Sequence, residues 1–223
     1  MDNITYVLYI CFLVPMLMSL FILDSNARLV VEYILIGASV CLFISEINGL
    51  LLNGLGCGMR FFCTTVSPIS EEVAKALPIL FYAFFFSDNR RKLVQSSFAL
   101  GLGFAILENM IMLTQNIASG LVQMDVLWAL VRGFGAGLMH SVCTVTIGLG
   151  ISFIRKKKKL FWCGTSSLLM LAITYHSIYN TIVISKYKYF GFVLPLATYI
   201  PILLTYLRQQ KKRKNDEKVT SNT

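Results

Sequence analysis

Long apolar runs, broken by short polar clusters, organise this chain from end to end. Seven such runs stand out, at 4–23, 29–52, 68–87, 93–113, 131–154, 160–184 and 189–207. About 20 consecutive apolar residues carry a helix across the hydrocarbon core of a bilayer. The pattern therefore predicts an all-α, polytopic membrane helix bundle with about seven transmembrane spans. The breaks hold the polarity: Asp24-Ser25-Asn26, Ser87 to Lys92, Thr114-Gln115-Asn116, Arg155 to Lys159 and Lys186-Tyr187-Lys188 read as turns. Beyond Arg208 almost every residue is charged or polar, which predicts a membrane domain over 1–207 and a disordered basic tail over 208–223.

Composition agrees with that division, since 56% of the 223 residues are hydrophobic and 14% charged, too apolar for a soluble domain. No length remains for a soluble catalytic domain, so any chemistry must sit on the helices. The net charge of +9 could suggest nucleic acid, but Arg155–Lys159 and Lys211–Lys214 abut apolar runs. Anionic lipid headgroups at the basic loops are the expected partner, and nucleic acid is not. Basic residues resist translocation, and alternate loops divide fifteen Lys and Arg against three, Arg60, Lys186 and Lys188. A multi-pass protein of the cell membrane follows, with its N-terminus outside and its C-terminus cytoplasmic. The run 4–23 is too long for the apolar part of a cleaved signal and reads as a retained span. Cys11, Cys41, Cys143 and Cys163 lie in apolar runs as small hydrophobes, while Cys57 and Cys63 share one loop and are free thiols or a pair.

Ionisable residues inside spans are costly and normally face the bundle interior, where they mark function. This chain carries Glu46, Glu71, Glu72, Lys75, Glu108, His140 and His176, with Asn48, Asn109 and Asn180 beside them. At the helical rise, Glu46, Glu108, His140 and His176 fall roughly 8 to 14 Å below the outer surface. The Glu pair follows Ser67, which reads as a helix N-cap, and Pro68 at the first helical position. Its preceding loop, 53–66, is apolar and glycine-rich, so a dip into the outer leaflet would bring the pair to the same layer. Alternatively, both carboxylates simply complement the helix dipole near the surface. Spacings of four place Glu71 with Lys75, Phe104 with Glu108, and His176 with Asn180 on common faces. Gly101, Gly103, Gly133, Gly135 and Gly137 read as close-crossing positions, and Glu46 belongs to no motif.

The set Glu71-Glu72-x-x-Lys75, Phe104-x-x-x-Glu108-Asn109, His140 and His176-x-x-x-Asn180, in that order on four successive spans, resembles the PrsW family of intramembrane proteases. That family is similar to the group holding the CAAX prenyl endopeptidases and bacteriocin self-immunity proteins. The resemblance covers about residues 65–185 and implies peptide-bond hydrolysis within the bilayer by Glu71, Glu72, Glu108, His140 and His176. Glu108 stands where the CAAX enzymes resemble a Phe-x-x-x-His pattern, which favours PrsW-like activity. Thr144 stands four residues after His140, so a His-x-x-x-His form of the third motif is absent.

Three functions compete on this reading: intramembrane peptidase, noncatalytic scaffold of the same fold, and small transporter. A single layer of ionisable groups argues against a relay across the membrane. For a peptidase, Glu71 is the expected general base, held by Glu72 and Lys75. His176 and Asn180 would face the oxyanion, and His140 and Glu108 would close the site. A divalent metal such as zinc is the alternative, with Glu71, Glu108, His140 and His176 as candidate ligands. The expected substrate is a single-span membrane protein cut near the extracytoplasmic face, by resemblance an anti-sigma factor. Loop 53–66 would act as its gate.

Overall fold

A computed structural model describes residues 3–86, 89–118, 126–154 and 158–221. Among these residues, eight α-helices run in order as α1 (Asn3–Ser19), α2 (Ser25–Leu55), a one-turn α3 (Met59–Phe61), α4 (Ser67–Phe85), α5 (Arg90–Ala118), α6 (Val126–Ile154), α7 (Lys158–Ile184) and α8 (Val193–Ser221). A π-helical turn, Phe62–Val66, joins α3 to α4, and a 3₁₀ turn, Lys188–Phe190, precedes α8. No strand occurs among the described residues. The all-α membrane bundle expected from the pattern is the fold observed.

Among the described residues, five helical stretches are long and apolar enough to cross a membrane, four within α2, α5, α6 and α7 and one running from the 3₁₀ turn into α8, Lys188–Thr205. The other two expected spans fall short for different reasons. With 17 residues, α1 extends about 26 Å, less than a hydrocarbon core of about 30 Å. In α4 the shortfall is chemical, because Glu71, Glu72 and Lys75 lie within its 19 residues.

Local signals explain the helix ends. Asp24 accepts from the Ala27 amide at 3.3 Å and caps α2, and Asn89 accepts from the Arg91 amide at 2.9 Å before α5. Gly56 ends α2 at φ 58°, a left-handed conformation that glycine adopts without steric cost. Ser67 departs from expectation. It is helical, at φ −58° and ψ −47°, because the π-helical turn leads straight into α4, and its hydroxyl serves Glu71 in place of a backbone amide. Most of loop 53–66 is likewise helical. Helix α8 continues through Arg208 to Ser221. The turn residues Ser87, Asp88 and Arg155–Lys157 lie outside the described residues.

The bundle is built around α5, which packs most extensively on α2 and α6. Close approach there depends on glycine. A Cβ on Gly103 would lie 1.9 Å from the Ile34 carbonyl oxygen, and one on Gly37 2.1 Å from that of Leu100. Gly133 and Gly137 do not share this role: nothing lies within 4 Å of a Cβ on the first, and only Leu102 at 3.9 Å from the second. Leu93, Leu100, Met139 and Ile147 fill one half of the core, and Cys41, Phe104, Leu107 and Ile111 the other. All six cysteines are free thiols, Cys57 and Cys63 included.

Candidate active site

The helical period of α4 turns Glu71, Glu72 and Lys75 toward the bundle centre, where all three are buried. Lys75 neutralises Glu72, with Nζ 2.6 Å from Oε1, so the ion pair forms at a spacing of three residues. The same Oε1 accepts from His176 Nδ1 at 2.7 Å. Lys75 Nζ also lies 2.8 Å from His140 Nδ1 and 4.6 Å from the centre of the Phe104 ring. His140 Nε2 is 3.1 Å from Glu108 Oε2, which Arg132 Nη2 approaches at 3.2 Å. Helices α4, α5, α6 and α7 thus meet through one chain of charged contacts, with the two imidazole rings 4.9 Å apart.

Glu71 is held separately. Its Oε1 accepts from Ser67 and, at 3.4 Å, from Asn48 Nδ2 on α2. Asn48 is fixed in turn, donating to Ser67 Oγ at 3.2 Å and accepting from Ser70 Oγ at 2.6 Å. Glu71 Oε2 is buried without a hydrogen-bond partner, and His176 Nε2 lies 3.9 Å from it. One carboxylate oxygen is tethered and the other is free.

These atoms also form a plausible set of metal donors. Glu71, His140 and His176 each offer a ligand atom within 4.8 Å of the others. Tetrahedral zinc with bonds of about 2.0–2.2 Å sets its donors about 3.3–3.6 Å apart, so the three side chains would draw together on binding. The contact from Glu72 to His176 Nδ1 leaves Nε2 as the ligating nitrogen, the arrangement by which a carboxylate orients a metal-bound histidine. His140 has a partner at each ring nitrogen, Lys75 and Glu108, and would give up one to ligate. Glu108, the fourth candidate ligand, is engaged by Arg132 and keeps 24% of its side chain accessible.

A family model described as PrsW family intramembrane metalloprotease matches residues 25–206. The chain belongs to that family. No curated protein and no solved structure matches it. Membership in a PrsW family of membrane metalloproteases agrees with a helical bundle whose buried acidic and basic side chains gather in one cluster.

The structure gathers Glu71, Glu72, Lys75, Glu108, His140 and His176 into one cluster. Two polar residues fall elsewhere. Asn180 Nδ2 donates to the Cys63 carbonyl at 2.8 Å, tying α7 to the π-helical turn and committing a donor that had been expected to face an oxyanion. Glu46 accepts from Tyr6 at 2.5 Å and links α2 to α1. Arg132, which joins the cluster through Glu108, belongs to no motif, although an arginine eight residues before His140 in an apolar run is itself a signal. Asn48 and Ser67 were visible but not attributable, because their common partner lies on another helix or one turn away. Thr144 donates to the His140 carbonyl at 2.7 Å and stays within its own helix.

Proposed function

We propose that this protein hydrolyses a peptide bond of a single-span membrane protein near the extracytoplasmic face, with a divalent metal bound by Glu71, His140 and His176. An anti-sigma factor is the substrate class that the resemblance suggests. The observation that carries the reading is the free Glu71 Oε2 facing His176 Nε2 while Oε1 is tethered by Ser67 and Asn48. When bound, the ion supplies Lewis acidity to a water or to the scissile carbonyl. Glu72 holds His176 by Nδ1, and Lys75 balances the charge of Glu72 in a site with little solvent. Glu108, the most accessible carboxylate of the cluster, takes the proton from the attacking water and returns it to the leaving amine. Arg132 keeps that carboxylate in place.

Buried acidic and basic side chains, among the described residues, are confined to this cluster. A proton or ion relay would need further polar steps through the membrane, so the arrangement favours hydrolysis over transport. The test uses purified protein in lipid with a candidate single-span substrate, measuring cleavage and bound metal together. Glu71→Gln should abolish cleavage and lower metal content. Glu108→Gln should slow cleavage at least a hundredfold with metal content unchanged. Glu46→Gln should leave both near wild type. Loss of cleavage in Glu71→Gln with full metal content would overturn the ligand assignment and make Glu71 the base; full cleavage in that variant would overturn the peptidase site.

A further inference from the structure

A second feature begins at Ser141, next to His140, and extends from there toward the start of α5 and the C-terminal half of α8. An apolar cavity of about 280 Å³ opens between α2, α5, α6 and α8, lined among others by Val30, Val94, Phe98, Val145, Tyr199 and Leu203. The Phe98 and Tyr199 rings stack across it at 6.0 Å and fix the level at which α5 and α8 meet. Following each helix past its last lining residue, toward the nearer chain end, leads to a basic side chain. On α2, Val30 is followed by Arg28; on α5, Val94 by Lys92 and Arg91; on α8, Leu203 by Arg208. All four are exposed and lie two to five residues beyond the lining, within about 8 Å along the helix axes. Arg28 spends one donor on the Leu23 carbonyl, at 3.1 Å, and keeps its charge available.

From this we propose that the cavity is a binding site for an anionic phospholipid, with one acyl chain in the cavity and the phosphate among Arg28, Arg91, Lys92 and Arg208. Three helices far apart in sequence put positive charge at the same end of one apolar space, and an acyl chain with a negative headgroup matches both parts. Apolar lining without charge would suit any lipid, and charge without the cavity would hold only a diffuse layer of anionic headgroups. The combination makes the site selective for headgroup and saturable.

Native mass spectrometry of the full chain, titrated with dioleoyl-phosphatidylglycerol or dioleoyl-phosphatidylcholine, tests this. One phosphatidylglycerol should be retained at least tenfold more tightly than phosphatidylcholine. Arg91→Gln with Lys92→Gln should remove that preference, because each basic residue near an anionic headgroup contributes about fivefold. Val94→Trp on α5 and Ile202→Trp on α8 fill the cavity from opposite walls and should weaken retention of both lipids, so a folding defect in one leaves the other to decide. Equal retention of the two lipids by the wild type would overturn the site. So would retention that the charge variant weakens but neither tryptophan does, which would mean a headgroup layer without an acyl pocket.

Discussion

At the scale of single residues, the cluster shows how a membrane protein keeps charge in a medium that penalises it. Glu72 and Lys75 are fully buried, and each has two partners: Lys75 and His176 for the first, Glu72 and His140 for the second. Removing either would leave the other charge buried and uncompensated, which typically costs several kcal/mol. Lys75→Met should therefore lower the amount of folded protein as well as activity. Asn48 has a narrower role, because its amide donates to Glu71 Oε1 and to Ser67, which itself holds Glu71. Asn48→Leu removes those donors at similar volume. It should lower kcat and weaken metal binding by about 10- to 100-fold, as loss of a partner to a ligand does, with little change in thermal stability. Metal affinity measured beside a melting curve checks it, and an unchanged affinity would reduce Asn48 to interhelical packing.

At the scale of elements, the site depends on how closely α5 approaches its neighbours. The ordinary polar breaks of the sequence set the helix ends, but glycine sets the spacing between axes. Gly103 and Gly37 bring α2 and α5 together at the backbone, and on α5 Gly101 meets the His140 carbonyl, where an added Cβ would lie 2.6 Å away. Gly103→Ala should push α2 from α5 and destabilise the fold by about 1–3 kcal/mol, measured as loss of thermal stability in detergent. Gly133→Ala, which meets open space, is the matched control and should have no such effect. The π-helical turn Phe62–Val66 is the other decisive element. It lets Ser67 sit inside the helix with its hydroxyl on Glu71, and Asn180 ties the turn to α7 at the Cys63 carbonyl. Wide turns of this kind often mark functional sites in helices.

At the scale of the whole molecule, orientation controls where the cluster sits relative to the two leaflets. The excess of Lys and Arg on one set of loops supports a cytoplasmic tail and a reactive layer in the outer half of the membrane. A reporter fused after Thr223 should be protected from protease in intact cells and exposed after lysis. A substrate with its scissile segment shifted about one span inward should resist cleavage. Surface accessibility of the tail in intact cells would reverse both placements.

The sequence alone determined the fold class, because the bilayer demands long apolar helices and a span announces itself by length and composition. It also supplied Glu71, Glu72, Lys75, Glu108, His140 and His176, since ionisable groups in apolar runs are too costly to be incidental. The tertiary structure decided their partners. Spacing along α4 allowed Lys75 to face Glu71 or Glu72, and it is His176, from 104 residues away, that joins Lys75 on Glu72 Oε1. Glu46 shares the depth of the gathered residues and Asn180 shares a motif with His176, yet α1 and the π-helical turn occupy them. Arg132 gained meaning only when α5 carried Glu108 to it. Local spacing fixes the face of a helix on which a side chain lies. Which faces meet, and at what height, follows from the packing of whole helices, and only packing could separate a tethered carboxylate oxygen from a free one.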